Sequence, residues 1–354
     1  MGENAEKDRL LGTLHSHLNA IHETFQIFDQ APASTLKKVS WDDAAKMGDQ
    51  VSKQATIVGM LWTGKEPQAT EVKESMESYF NVLVGFLLLS HGSTVGAGPT
   101  LSSFILQAVK KIVDCSYKLI KDAIVSLGTG KENESSIPQL VGAVWEACSA
   151  LKKIPTTNVA AIGRVMTQVA VSMKDVLREM KELKPGSTDT TDENAESEAQ
   201  DDDGFNEDDL GSDLSPEEMK VARSAIVVVS EALVLVKELM RSITGLLKLE
   251  SRDDTGDFVD SLEKLLKHCQ GIGTEIDELG ASLYPPQEVA IMKGAVEKIS
   301  SMVDDMEREI ESLKGTSDAF IQACGGLKSS LAQLKSEIDC SGPSDLATRV
   351  QMLI

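Results

Sequence analysis

Three histidines, His15, His17 and His22, stand near the start of the chain, and five cysteines, Cys115, Cys148, Cys269, Cys324 and Cys340, are spread through the rest. A zinc site would need histidines four apart on one helical face, or a close Cys/His quartet. His15 and His22 share a face but lie seven apart, no CxxC pair occurs, and the side chains of His268 and Cys269 diverge around a helix. The histidines read as surface or rim residues. Nucleophilic catalysis has no better footing, because neither GxSxG nor HExxH is present and no cysteine sits in a protease signature. The glycines Gly92, Gly96 and Gly98 could cradle a phosphate only with a strand before them and GK[ST] after them, and both are missing. Asp253, Asp254 and Asp257 lack the alternating ligands and terminal glutamate of a calcium loop. The expectation is a protein with no catalytic residue, no cofactor and no metal, hence not an enzyme.

Composition narrows the class further. An odd cysteine count without motif spacing suits reduced thiols and a cytoplasmic or nuclear setting. Residues 82–89 form the longest apolar run, far short of the ~18 needed to cross a bilayer. The start lacks a basic stretch leading into an apolar one, and Glu6 stands where a myristoylation pattern wants Ser or Thr, so neither a secretory signal nor a membrane anchor is expected. A net charge of −21 and the lack of a Lys/Arg-rich stripe speak against direct nucleic-acid contact.

The elements are helices. Apolar residues make up 41 % of the chain but aromatics only 4 %, a mixture that fills helical cores with aliphatic side chains. Leu10, Leu14, Leu18, Ile21 and Phe25 recur at three- and four-residue steps, and Pro32 ends that run. Ser40 is placed to cap a second helix reaching Trp62, and Pro67 is suited to the first turn of a third running to about Ser90. Leu101, Ile105, Ala108, Ile112, Cys115 and Leu119 mark a fourth, residues 138–153 around Trp145 a fifth, and 158–183 a sixth. In the second half the steps alternate strictly between four and three, as in Met292, Val296, Ile299, Val303, Met306 and Ile310. That 3.5-residue spacing gives coiled-coil-like packing, and the breakers at 253–256, Tyr284-Pro285-Pro286 and 315–316 favour antiparallel hairpins. The fold class is therefore all-α: a five- or six-helix N-terminal bundle over 1–184 and a four-helix bundle over 215–354, with self-association left open because heptads serve both uses.

Between them lies an acidic run. From Lys184 to Lys220 there is no basic residue and there are fourteen acidic ones; without them the balance is 42 acidic to 35 basic residues and the charge falls from −21 to −7. Such a composition cannot bury enough apolar surface to order itself, so residues 185–214 are expected to be a disordered linker. Two hydroxyls precede carboxylates there as acid-directed kinases prefer, Thr190 and Ser215, and a phosphate on Ser215 would sit at a helix N-terminus. A third reading makes the segment a partner-binding one, with Phe205, Leu210 and Leu214 as apolar anchors amid the acid.

Several stretches resemble the cyclin-D-binding protein family, helical regulators of animals and plants. They are Val144-Trp145-Glu146-Ala147-Cys148 followed by Ile154-Pro155 and Asn158, Leu283-Tyr284-Pro285-Pro286, Val51-Ser52-Lys53-Gln54-Ala55-Thr56, and the acidic insert between the halves. Read physically, Trp145 fills the N-terminal core, Pro155 ends its helix, and Tyr284, Pro285 and Pro286 stop one helix and restart the next; each can also serve an interface. The resemblance implies a non-enzymatic regulator of the cell cycle that binds D-type cyclins and sequesters helix-loop-helix transcription factors. The alternative is a cytoskeletal adaptor of the vinculin or talin type, which also uses helical bundles. One outcome follows from composition alone: limited proteolysis should cut first between Pro185 and Leu214. First cleavage within a helical bundle, read by mass spectrometry, would displace that boundary.

Overall fold

A computed structural model describes residues 2–28, 38–63, 66–128, 136–185, 213–249, 256–313 and 317–340. Ten α-helices carry almost all of them, in the order α1 Gly2–Phe28, α2 Trp41–Leu61, α3 Ala69–Gly92, α4 Pro99–Val125, α5 Ser136–Ala150, α6 Asn158–Lys181, α7 Pro216–Leu249, α8 Gly256–Ala281, α9 Val289–Ser312 and α10 Asp318–Cys340. The protein is all-α, as the periodicities predict. Ser40 caps α2, its hydroxyl accepting the Asp42 N–H at 3.2 Å. Pro67 lies just outside its expected place: Gln68 is the N-cap of α3 and makes a capping box with Glu71.

The chain divides into two compact units, residues 1–161 with 253–259 and residues 162–252 with 260–354. In the first, α3 and α4 supply the centre, where buried Tyr79 donates to Ser116 Oγ at 2.8 Å. Helix α1 lies on them with His17 stacked on Phe80, the ring centroids 4.7 Å apart. Helix α5 runs antiparallel to α2: a Cβ on Gly48 would fall on Leu151, and one on Gly59 would lie 2.9 Å from Val141 Cγ2. The glycine-rich turn before α4 is bound from within the protein. Gly96 has φ 74°, a conformation open to glycine, while Asn158 accepts the Gly98 N–H at 2.7 Å and donates to the Gly96 carbonyl at 2.9 Å.

In the second unit, α8 and α9 are antiparallel, held in register by Lys264–Glu309 at 3.5 Å and Lys298–Glu275 at 3.0 Å. Helices α9 and α10 pair the same way through Lys328 with Asp304 and Glu307, and Lys335 with Glu297. Helix α10 returns along α7, with Ser224 bonded to Glu337 and Ser242 Oγ 3.2 Å from Ser317 Oγ.

Helix α6 departs from the expected plan. The sequence reading assigns it to the bundle over 1–184, yet from Ile162 onward it belongs to the second unit. It lies along α8, where a Cβ on Gly273 would be 2.8 Å from Val169 Cγ1 and one on Gly280 2.7 Å from Val176 Cγ1. The reason is legible in its own residues: Ile162, Met166, Val169, Met173, Val176 and Met180 alternate four and three, the spacing of the C-terminal helices. Beyond α6, Lys184–Pro185 pairs with Asp213–Leu214 in a two-residue parallel ladder, Lys184 opposite Asp213. The chain therefore leaves and re-enters the same unit on the two sides of the acidic run, and the compact units first meet in sequence at Ala161–Ile162 instead.

The α6–α8 contact has a direct test. Gly273→Val should destabilise the protein by about 1–3 kcal/mol through overpacking, and Val169→Ala added to it should recover most of the loss in urea unfolding. Strict additivity of the two changes would contradict the contact.

Candidate interaction surface

Helix α5 buries Ile137, Val141, Val144 and Cys148, a stripe at steps of four and three. Trp145 follows Val144 by one residue, about 100° around the helix, and so falls on the flank beside α2. It does not fill the core: 46 % of its surface is exposed. The tryptophan that fills the core is Trp41, 7 % exposed, whose indole donates to the Leu151 carbonyl at 3.0 Å. Spacing could not have excluded Trp145 from the core, since it stands four residues after Val141 and three before Cys148, as well placed as the buried Val144.

Trp145 is nonetheless fixed. Its Nε1 donates to Thr56 Oγ1 at 3.1 Å and to the Ser52 carbonyl at 3.3 Å, and Thr56 Oγ1 itself donates to Ser52 O at 3.0 Å. Two of the motif segments singled out above, separated by about 90 residues of chain, thus meet at one point. With its polar edge satisfied, the indole presents an apolar face outward. On the same side of α2, one turn past Thr56, Met60 is 65 % exposed, and Ile57 beside it is exposed as well. A pinned aromatic ring next to a flexible, polarisable methionine is the composition of a protein-docking patch.

The other expected residues separate. Pro155 is buried and does end the helical run: α5 passes into a 3₁₀ turn over Leu151–Lys153, and Ile154 is extended with φ −72° and ψ 136°. Tyr284, Pro285 and Pro286 form the corner between α8 and α9, a stop and restart as read from sequence. Tyr284 is exposed and borders a shallow cavity of about 360 Å³ with Val176, Met180 and Gly280. Near it, partial burial raises the Asp277 carboxyl above its ordinary range, with Glu278 and Glu179 adding repulsion. Gln287 ties this corner to α7 by donating to the Glu218 carbonyl at 3.1 Å.

Ser215 is exposed and caps α7 in a reciprocal box: its hydroxyl accepts the Glu218 N–H at 3.2 Å, and its own N–H donates to Glu218 Oε2 at 2.9 Å. Such caps contribute about 1 kcal/mol. Thr190 and most of the acidic run lie outside the described residues. Burial pushes the thiols of Cys148, Cys269 and Cys324 up to about 12 and raises that of Cys115, so these four are protonated at neutral pH. Among the described residues no cluster of three His, Cys, Asp or Glu side chains could hold a metal, and no helix is long and apolar enough to cross a membrane.

Comparison with known proteins decides the family. Residues 43–186 match the model described as Grap2 and cyclin-D-interacting, N-terminal, and residues 197–308 match its C-terminal counterpart. The chain belongs to the Grap2 and cyclin-D-interacting family. Among relatives of this family, it is 22 % identical over 270 residues to the Cyclin-D1-binding protein 1 homolog of Xenopus laevis, covering 74 % of this chain and 77 % of that one. It is 23 % identical over 257 residues to the Cyclin-D1-binding protein 1 of Homo sapiens, covering 71 % and 69 %. The two family domains change over within the acidic run, whereas the compact units divide earlier, so the N-terminal family domain contributes α6 to the second unit.

The two tryptophans should separate on truncation. Trp41→Ala should cost about 3–5 kcal/mol, and Trp145→Ala only about 1–2 kcal/mol, both read from chemical unfolding; equal losses would refute the assignment of core and surface.

Proposed function

We propose that this chain is a non-enzymatic regulator of cell-cycle progression that binds a D-type cyclin. Its relatives over about seven-tenths of the chain carry the name cyclin-D1-binding protein, and this is the observation that carries the reading. The Trp145, Met60 and Ile57 face of the first unit is the surface we assign to that contact, because a rigid aromatic anchor loses little entropy on binding. Helix-loop-helix transcription factors are a second partner class, bound away from DNA, and the protein acts in both cytoplasm and nucleus. No residue is assigned a catalytic role.

Ser215 is the proposed control point. A phosphate there would gain from the helix N-terminus but would stand against the Glu218 carboxylate that now holds the Ser215 N–H. Phosphorylation would thus exchange one cap for another at the point where the acidic run ends.

Purified D-type cyclin should be retained by the immobilised full-length chain, and a Trp145→Ala, Met60→Asp variant should retain roughly tenfold less. Deleting residues 187–214 should leave retention in place. Absence of retention by the intact chain would overturn the cyclin reading; undiminished retention by the surface variant would overturn only the assigned face.

A further inference from the structure

Helix α7 is covered on one side by α10, through Ser224, Glu231 and Ser242, and on another by α6, leaving a third face open. The residues exposed on that face beyond the first turn are Lys220, Arg223, Val227, Val234, Lys237, Arg241 and Thr244. All four of the charged ones are cations. The two carboxylates of this stretch are only partly exposed: Glu231 points at Gly326 of α10, and Glu238 is largely covered, paired with Arg241 at 2.6 Å. Lys220, Arg223 and Lys237 have no carboxylate partner among the described residues. In a chain of net charge −21, a helix face whose exposed charged side chains are all cations runs against the composition.

The same face is apolar between its cations. Val227 and Val234 are 48 % and 43 % exposed, and beside them an open trough of about 590 Å³ runs between α6 and α7, floored by Ala170, Leu233, Val236 and Met240 and rimmed by Lys237 and Arg241. No carboxylate lines it. From Lys220 to Arg241 the face extends about 32 Å at 1.5 Å per residue.

We propose that this face of α7 is a docking site for an amphipathic helix of a partner protein whose apolar stripe is flanked by carboxylates. The trough accepts apolar side chains at helical spacing, and cations at both ends of the face pair with acidic flanks, which fixes the sign of the partner. A symmetric contact of this face with itself in a second copy of the chain is disfavoured, since it would place cation against cation. The site is separate from the Trp145 face and stands or falls independently of the cyclin reading.

The test uses the full-length protein and a fluorescein-labelled peptide of about 20 residues with leucines on one helical stripe and glutamates beside them. Fluorescence anisotropy should show saturable binding that weakens as salt is raised. Lys237→Glu with Arg241→Glu should weaken it roughly tenfold or more, while the charge-matched pair Lys110→Glu with Lys121→Glu on α4 should leave it within about twofold. Replacing the peptide's glutamates with lysines should abolish binding. The proposal is overturned by no saturable binding, by equal binding of the lysine peptide, by equal weakening from the α4 control, or by preference for phosphatidylserine vesicles over the peptide. Both variant pairs alter exposed side chains, and an unchanged circular dichroism spectrum and melting temperature identify them as folded.

Discussion

Helix α5 can lie against α2 only because Gly48 and Gly59 leave room for Leu151 and Val141. That close approach determines the rest of the first unit. It brings the Leu151 carbonyl within reach of the Trp41 indole and sets Trp145 over Ser52 and Thr56. The Leu151 carbonyl, freed where α5 tightens into a 3₁₀ turn, is satisfied by Trp41 and by the Ile154 N–H. Asn158, seven residues on, then locks the Gly96–Gly98 turn between α3 and α4. A glycine-rich loop, an exposed tryptophan and a helix end are parts of one arrangement, held by side chains reaching backbone groups.

The second unit is organised differently. Its neighbours are aligned by exposed ion pairs of constant antiparallel register, Lys264–Glu309 and Lys298–Glu275 on one seam and the Lys328 and Lys335 pairs on the next. Each such pair contributes only about 0–1 kcal/mol. Stability comes from the buried heptad residues, such as Met292, Val296, Ile299, Val303, Met306 and Ile310, and the pairs select which register those residues adopt. Between α7 and α10, Gly326 leaves room for the Glu231 carboxylate, and the polar bonds there join Ser224 to Glu337 and Ser242 to Ser317. Charge is thus spent on the α8–α9–α10 seams, and the cations of α7 face outward.

Much of this was legible beforehand. The helices fall close to their expected bounds, and the Ser40 cap, the Pro155 stop and the Tyr284 corner stand where their residue types require. The expectation of Trp145 as core fails because Val144 and Trp145 both fit the spacing between Val141 and Cys148, and only the packing against α2 buries the one and pins the other to Ser52 and Thr56 at the surface. The partnership of α6 is also written in its four-and-three spacing, but the acidic run that follows it marks a compositional boundary that does not coincide with the boundary between the compact units. The α7 face could not be read in advance, because its cations are scattered along the sequence and gather only when the helix is wound.

What the sequence alone determined is local: where each helix starts and stops, which stripe of it must be buried, and that fourteen carboxylates without a cation cannot join a core. Those follow from capping, periodicity and desolvation, which act within a few residues. The tertiary structure alone decided which helix each stripe meets, so that α6 joins α8, Trp41 takes the interior and Trp145 the surface. Periodicity specifies a buried face but not its neighbour; that choice rests on glycine gaps and on hydrogen bonds between residues far apart in the chain, where space, not spacing, selects the partner.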